Sequence, residues 1–428
     1  MKIENSKLKI FQSRSGQSLI EVLIGLAIGA VLIGAASLGV TFMLRSSASN
    51  QNVQIGTSLA QDLVDKVRTV AASDWRDIYD LTKGTSTSYF VNASGTQLII
   101  VEGQEGVISN ENTNGLVAHW KMDESTSTAT TTTFDASGNA NHGTFVGAPA
   151  RATSTCRVSN CLSFDGVDDR VSISTPLNNF PTSTITVSAW VKVPNHVNWY
   201  DYVRNNWPGV AGAWLLYSDS FAVVRFGVID DALAQHNASG CASAFTTNTW
   251  HMVTGTYDGS TVMVYVDGAQ CATTNALSGQ SLYTGGTIQF GEWGSAGATT
   301  HYIDDVRIYN RALSADEIQR LWNSVAFTRY FNVANVNRDT NGNIVSSGGN
   351  EDPSTQKATV TVEWPGSGTN IGQIQLIDYL TRWQNDVFQQ TDWLGGSGQT
   401  GPITTPNSRY DSATSVSNPA GSIRIQGL

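Results

Sequence analysis

A long apolar run near the N-terminus constrains this chain more than any other feature. From Leu19 to Leu44 the only ionisable residue is Glu21. Such a run is long enough for a helix to cross a bilayer, which takes about 20 apolar residues. Four basic residues precede it, and they predict a single-pass membrane protein with a cytoplasmic N-terminus: Lys2, Lys7, Lys9 and Arg14.

The flanks of this run argue against an ordinary signal peptide or a simple anchor. A signal peptide has a shorter apolar core, and its small-residue cleavage site follows that core. Here a glycine, Gly16, stands before the run instead. A simple anchor has no need for Glu21, because an acid inside a membrane helix is costly and usually has a partner. The position of Glu21 therefore predicts a partner charge.

The segment Ser15–Val22, SGQSLIEV, resembles the type IV prepilin motif. The resemblance implies that prepilin peptidase cuts after Gly16 and that Gln17 becomes the methylated N-terminus. It also implies that Glu21 pairs with the terminal amine of a neighbouring pilin subunit, which would satisfy two groups that are costly to bury alone. The chain departs from the family in carrying Gln17 where Phe is usual.

The polar segment that follows keeps a helical pattern. Apolar side chains recur at helical spacing on one face: Leu59, Leu63, Val67 and Val70. This stripe predicts a helix from about Ser18 to Ala72, whose second half packs on a globular head. A coiled-coil partner is the alternative, but the stripe is short for one.

Composition places the rest of the chain outside the cytosol. Charged residues make up only 14% of the sequence, and the net charge of −10 argues against nucleic-acid binding, which needs clustered Lys and Arg. Four cysteines in an exported chain predict disulfides. Sequence order favours Cys156–Cys161 and Cys241–Cys271, although four cysteines allow three pairings.

Residues 115–323 have the pattern of a β-sandwich, with many short apolar runs separated by turns. Asp258-Gly259 and Asp267-Gly268 predict tight turns that join three strands. Ser314 and Glu317 form a capping-box pattern, which predicts one short helix.

This block resembles a laminin-G-like, concanavalin-type jelly roll. Five segments in order carry the resemblance: 134–139 (FDASGN), 162–169 (LSFDGVDD), 187–191 (VSAWV), 250–253 (WHMV) and 303–313 (IDDVRIYNRAL).

The segments on either side of this block predict a second, α+β module. Residues 326–336 and 357–365 read as strands. The strand that ends in Trp364-Pro365, followed by Tyr379-Leu380-Thr381, resembles the distal body of prepilin-like proteins. We therefore expect the jelly roll to be inserted into a pilin head, with the strands near Leu98 and Tyr330 in one sheet. Three domains in series are the alternative. The expected divisions are a leader (1–16), a hydrophobic helix (17–72), the head (73–114 and 324–394), the jelly roll (115–323) and a flexible tail (395–428).

A calcium site is the first candidate within the jelly roll. The loop from Asp135 to Asn141 is rich in oxygen ligands, which Ca²⁺ prefers. The family resemblance implies that Asp135, Asn139 and Asp304 share one ion, with Asn141 as an additional candidate. The alternative is that Asp135 and Asn139 only shape a turn.

A ligand platform is the second candidate. Aromatic residues crowd 199–217, and Trp199, Tyr200 and Trp207 lie in loop-like text. Aromatic rings suit sugars and interfaces, and loops often carry function. Burial in the core is the alternative for these rings.

No credible catalytic constellation is present, because the paired carboxylates of glycosidases and the common hydrolase motifs are absent. The sequence favours a non-enzymatic minor pilin or pseudopilin that displays a jelly roll for adhesion or carbohydrate recognition at the cell surface. One rival is a pseudopilin of a secretion or DNA-uptake system in which the jelly roll is structural. The other rival is a glycan hydrolase carried on a pilin stalk.

Overall fold

The computed structural model describes residues 43, 50–382, 415–417 and 424–426. Within 50–382 it leaves gaps at 95, 110, 126–130, 154, 175–176, 197–198, 207–209, 275–278, 292–298 and 366–369. The chain divides into two compact units, Met1–Gln54 and Ile55–Leu428. In the described part, no helix is long and apolar enough to cross a membrane. The predicted span Leu19–Leu44 lies outside the described residues apart from Met43.

Among the described residues, two helices precede the first strand. Residues 50–73 are helical (α1), and α2 follows over Arg76–Tyr79. The predicted apolar stripe on α1 is buried at Leu63, Val67 and Val70, and it packs into a core with strand residues described below. The predicted start of this helix near Ser18 lies outside the described residues.

Every pair of neighbouring strands that the structure describes is antiparallel, and these strands fall into four groups along the chain. The first group is β1 (Tyr89–Ser94), β2 (Gln97–Glu102) and β3 (Glu105–Ile108). The second begins with β4 (Leu116–Trp120), β5 (Thr132–Thr133), β6 (Gly143–Val146), β7 (Ala150–Ala152), β8 (Cys161–Phe164), β9 (Arg170–Ser174), β10 (Ile185–Lys192) and β11 (Tyr200–Asn205). It continues with β12 (Trp214–Ser218), β13 (Val224–Ile229), β14 (Gln235–Gly240), β15 (His251–Tyr257), β16 (Val262–Val266), β17 (Ala269–Thr274), β18 (Thr287–Phe290) and β19 (His301–Tyr309).

Helix α3 (Ala315–Trp322) separates the second group from the third. The third group is β20 (Ala326–Arg338), β21 (Ile344–Val345), β22 (Asn350–Pro365) and β23 (Ile371–Thr381). The fourth is a small hairpin of β24 (Ser415–Ser417) and β25 (Arg424–Gln426).

Strands β4 to β19 form a β-sandwich. One sheet has the order β17-β16-β15-β10-β19-β8-β7, with β4 also paired to β19, and the other has the order β14-β13-β12-β11-β18-β9-β6-β5. Large apolar side chains fill the space between the sheets, including Trp120, Trp214, Phe226 and Phe290. The edge strand β14 is largely exposed or half-buried, whereas the central strands β10, β12, β15 and β19 are buried along nearly their whole length, on both faces of their sheets.

Strands from both sides of the sandwich meet in a third sheet, the flanking sheet, with the order β2-β1-β20-β22-β23. Tyr89 of β1 lies opposite Phe331 of β20, and β3 pairs with the beginning of the same strand. The strand near Leu98 and the one near Tyr330 therefore share one sheet, although the sandwich separates them in sequence. The buried stripe of α1 packs on this sheet, against Phe331 and Val360 among others.

Several local features of the sandwich match the sequence expectations. Antiparallel pairing joins β15 to β16 and β16 to β17, and Asp267 and Gly268 both have positive φ at the second turn, as a tight hairpin requires. The capping box is confirmed, because Ser314 accepts from Glu317 N and the Glu317 side chain accepts from Ser314 N. Both favoured disulfides are present.

A buried charge network joins the sandwich, the flanking sheet and α1. Glu105 of β3 accepts hydrogen bonds from Arg329 of β20 and, at 2.7 Å, from Lys121, which follows β4. Arg329 also contacts Asp62 of α1 at 2.6 Å. Burial would raise the pKa of Glu105, but the neighbouring cations outweigh it and lower that pKa to about 2.

Candidate functional site

The structure does not describe the residues of the predicted processing and assembly site. Gly16, Gln17 and Glu21 all lie outside the described residues. The structure does show where α1 packs. From residue 55 onwards, α1 belongs to the same compact unit as the flanking sheet and the sandwich.

The predicted calcium loop is held by its own hydrogen bonds. The buried Asp135 carboxylate accepts from the backbone N–H groups of His119, Ser137 and Asn141, and from the Ser137 hydroxyl. The Asn139 amide donates to the carbonyl oxygens of Leu116 and Val117. The oxygens of Asp135 thus stabilise a turn that fixes the loop against β4, as the alternative interpretation of this loop expects.

Asp304 makes a different set of contacts. Its carboxylate on β19 accepts from the backbone N–H groups of Arg157 and Val158, both at 3.2 Å. It lines a cavity of about 10 Å³ together with Asp123, whose carboxylate accepts from Gly106 N of the flanking sheet. Among the described residues, the hydrogen bonds of Asp304 do not involve the Asp135 loop.

Burial raises the pKa of both Asp304 and Asp123 well above the usual range. The neighbouring charge of Asp305 adds to the effect on Asp304, and the charge of Asp304 adds to the effect on Asp123. Sequence reasoning missed Asp123 as a partner of Asp304, because the pair forms only when β19 lies beside β4.

A different acidic cluster has the spacing to hold a metal ion. Asp165, Asp168 and Asp169 each offer a carboxylate oxygen, and these oxygens lie within 4.8 Å of one another. Asp165 and Asp168 are exposed, whereas Asp169 is buried and accepts from Ala148 N and Asp165 N. In the sequence these residues belong to the segment LSFDGVDD, which carries the jelly-roll resemblance, so nothing singled them out as ligands.

The predicted aromatic platform is partly exposed. Trp199 is 42% exposed, and its ring stacks on Tyr217 of β12 with 5.6 Å between centroids and 13° between planes. Tyr200 is only 1% exposed, and its hydroxyl donates to Asn195. The faces of the Tyr200 ring are therefore not available to a surface ligand. The burial of this residue contradicts its predicted role in ligand binding. Trp207 lies outside the described residues.

An ion pair lies beside Tyr217 on the neighbouring strand. Burial raises the pKa of Tyr217 to about 12, so its hydroxyl stays protonated at neutral pH. Arg225 lies near this ring and is held by Asp219 at 2.6 Å. The Asp219 carboxylate is buried and also accepts from Phe221 N and Val223 N, so the group open to a ligand here is the half-exposed Trp199 ring, which is able to stack on a sugar.

The class of protein follows from comparing this fold and sequence with known families. Residues 165–319 match the family described as the concanavalin A-like lectin/glucanases superfamily. Residues 12–37 match the prokaryotic N-terminal methylation motif. The chain therefore carries an N-terminal methylation motif and a laminin-G-like, concanavalin A-like domain.

Two of the solved structures to which the chain is similar are binding domains of toxins. The binding domain of Paraclostridial Mosquitocidal Protein 1 is 18% identical with a TM-score of 0.41, covering 49% of this chain and 52% of that one. The receptor-binding domain of botulinum neurotoxin C/D mosaic serotype is 12% identical with a TM-score of 0.40, covering 59% and 71%. This chain thus spans about half the length of the first of them. None of the curated protein sequences matches the chain.

Proposed function

We propose that this protein is a minor pilin or pseudopilin that displays a laminin-G-like jelly roll at the cell surface for adhesion to carbohydrate. One observation carries the proposal. Residues 12–37 match a methylation motif, and further along the chain α1 packs, from residue 55 onwards, on a sheet whose strands come from both sides of the sandwich. The sandwich would thus be carried on the outer part of an assembly subunit.

The proposed assembly mechanism depends on Glu21. Burial of the apolar run against sister helices would drive association, and Glu21 would pair with the amine of Gln17 from a neighbouring subunit. Register between subunits follows, because either charge alone in an apolar bundle costs several kcal/mol. A bulky sandwich on each subunit favours a minor rather than a major subunit.

Processing is tested by mass spectrometry of the protein extracted from membranes of a host that has a prepilin peptidase. We expect a mature chain that begins at N-methylated Gln17. The Gly16→Val variant should remain uncut, whereas the matched Ser18→Ala variant should be processed normally. An intact leader on the parent protein would contradict the proposal.

Carbohydrate recognition is tested on a glycan array with the full chain in non-ionic detergent. Trp199→Ala should reduce sugar-dependent binding at least tenfold, because a lost aromatic stacking face has no replacement. Tyr379→Ala is the matched control, since Tyr379 is an equally exposed ring (44%) on the flanking sheet. Equal loss in both variants, or release of reducing sugar from the bound glycan, would overturn this part of the proposal.

We also propose calcium as the ion for the cluster of Asp165, Asp168 and Asp169, since Ca²⁺ prefers several carboxylate oxygens. Calorimetric titration should show binding that Asp168→Asn weakens about tenfold and that Asp316→Asn, a change at an exposed position of α3, leaves intact. If Asp135→Asn abolishes binding while Asp168→Asn does not, the loop rather than this cluster holds the ion.

A further inference from the structure

The hairpin between β12 and β13 carries the most exposed large apolar side chain in the described part of the chain. Phe221 is 79% exposed, whereas its neighbour Ala222 is 8% exposed and packs into the core of the sandwich. A single apolar residue on a protein surface is ordinary. The significance of Phe221 therefore depends on how it is held and on what lies beside it.

The tip of this hairpin is fixed by hydrogen bonds. The Asp219 carboxylate accepts from Phe221 N at 2.9 Å and from Val223 N at 3.1 Å. Asp219 N donates to the carbonyl oxygen of Val223 at 3.1 Å, and Arg225 of β13 holds the same carboxylate at 2.6 Å. The tip thus presents its ring from a fixed backbone, which lowers the entropy lost when a ligand binds.

Phe221 and Trp199 lie at the same end of their sheet. Tyr200 at the start of β11 is paired with Ser218 at the end of β12. Trp199 immediately precedes the first member of this pair, and the hairpin tip immediately follows the second. Only three residues separate Ser218 from Phe221, a span of at most about 11 Å.

The two rings also share one side of the sheet. Leu216 packs in the core, and the side chains of a strand alternate between its faces, so Tyr217 and the Trp199 ring stacked on it lie on the outer face. At the tip, Ala222 points into the same core. The exposed ring of Phe221 therefore projects away from the sandwich, beside the outer face that carries Trp199.

Arg225 lies at the base of this surface. It is opposite Tyr217 in the sheet, and its side chain is 29% exposed. Three of its five N–H groups donate, two to Asp219 and one to Ser239, so two N–H groups bond to none of the described residues. Because Asp219 compensates the charge of Arg225, these N–H groups suit the hydroxyl of a neutral ligand better than an anion.

We propose that Trp199 and Phe221 are two stacking subsites of one carbohydrate site, which takes a neutral oligosaccharide of at least two sugar rings. This inference rests on the proposed recognition of carbohydrate at Trp199 and names the class of ligand. An aromatic ring binds the apolar face of a sugar, and Arg225 would donate to a hydroxyl between the two rings. The second ring adds affinity only for a ligand long enough to reach it, so Phe221 would select for chain length.

The test measures binding of the full chain in non-ionic detergent to neutral homo-oligomers of glucose, galactose, mannose and N-acetylglucosamine, from one ring to six. We expect affinity to rise from the monomer to the oligomers of the sugar that binds. Phe221→Ala should weaken binding of the oligomers about five- to tenfold and leave binding of the monomer unchanged. Trp199→Ala should weaken binding at every length.

The matched control is Leu233→Ala at the opposite end of β13. Leu233 is also an exposed apolar residue (62%) at a hairpin tip. Its tip is built in the same way, because Asp230 accepts from Ala232 N and Ala234 N. This variant should bind every oligomer as the parent does.

The possible outcomes distinguish this inference from the function on which it rests. A parent that binds no saccharide would overturn both. Binding that depends on Trp199 but is unchanged by Phe221→Ala at every length would overturn the inference alone, as would an equal loss for monomer and oligomers. Tighter binding of uronic-acid oligomers than of neutral ones would overturn the ligand class.

Discussion

Asp123 and Asp304 are buried against each other where the sandwich meets the flanking sheet, and their ionisation opposes folding. Each carboxylate is fixed by backbone N–H donors, from Gly106 to Asp123 and from Arg157 and Val158 to Asp304. These donors offset part of the burial cost, yet the pKa of each acid stays well above the usual range. Two adjacent buried carboxylates share protons more readily than they both ionise.

This pair should make stability fall as pH rises. The folded-state pKa of Asp304 is above its unfolded value, so its contribution is complete below about pH 4 and is lost as pH rises through the folded pKa. Asp304→Asn removes one titrating group and keeps an oxygen acceptor. Urea unfolding from pH 5 to 9 should show the variant gaining on the parent by up to about 1.4 kcal/mol per pH unit.

The control for this prediction is Asp316→Asn, which removes an exposed carboxylate at the first turn of α3. Its unfolding free energy should follow the parent across the same pH range to within about 0.5 kcal/mol. A constant offset between Asp304→Asn and the parent at every pH would show that the pair does not titrate in this window.

Tyr200 shows at the level of a single residue why exposure is hard to read from sequence. The segment around it resembles a loop, but β11 begins at this residue. A register shift between Asp201 and Val203 interrupts the alternation of the strand, and Tyr200, Tyr202 and Val203 are all buried. A β-bulge changes which side chains face the core, and no local composition signals it.

At the level of elements, the features predicted from sequence are those fixed by neighbours along the chain. The α3 capping box needs only Ser314 and Glu317, and the hairpin turn at Asp267-Gly268 needs only two residues with positive φ. The buried stripe of α1 follows from helical periodicity alone. These elements could therefore be predicted from local chemistry alone, without information on tertiary contacts.

Contacts between elements that lie far apart in the sequence could not be predicted from local patterns. Arg329 and Glu105 are 224 residues apart in sequence, and nothing near either residue identifies the other. The proximity of Asp123 and Asp304 could not be predicted for the same reason, because it depends on the pairing of β19 with β4. The predicted calcium ligands Asp135, Asn139 and Asp304 stay a prediction, and the hydrogen bonds of Asp304 to Arg157 and Val158 could not be derived from single segments of the sequence.

The two disulfides should contribute unequally to stability. Cys241–Cys271 closes 30 residues and joins the end of β14 in one sheet to β17 in the other, whereas Cys156–Cys161 closes only 5. Loop-closure entropy gives about 3.6 kcal/mol for the longer loop and about 2 kcal/mol for the shorter one. Urea unfolding of the two double Cys→Ala variants should show this order, and the reverse order would contradict the entropic account.

At the scale of the whole molecule, the flanking sheet is completed only when the folded sandwich brings its strands together. Strands β1 to β3 precede the sandwich and β20 to β23 follow it, so the sheet can form only when both ends of the sandwich come together. The buried network of Glu105, Lys121 and Arg329 then ties the sandwich to that sheet. Breaking one member of such a network leaves an uncompensated buried charge.

We therefore expect the sandwich, the flanking sheet and the described part of α1 from residue 55 to unfold in one transition. Unfolding curves from tryptophan fluorescence and far-ultraviolet circular dichroism should coincide for the parent, as two-state behaviour requires. Arg329→Met should cost about 3–5 kcal/mol and separate the two curves, because it removes the link between the sheet and the sandwich. Arg320→Met, at an exposed position on α3, should cost less than about 1 kcal/mol and leave the curves superimposed. Two separate transitions in the parent would show instead that the sandwich folds independently, and the network would then be a contact between finished domains rather than part of one cooperative core.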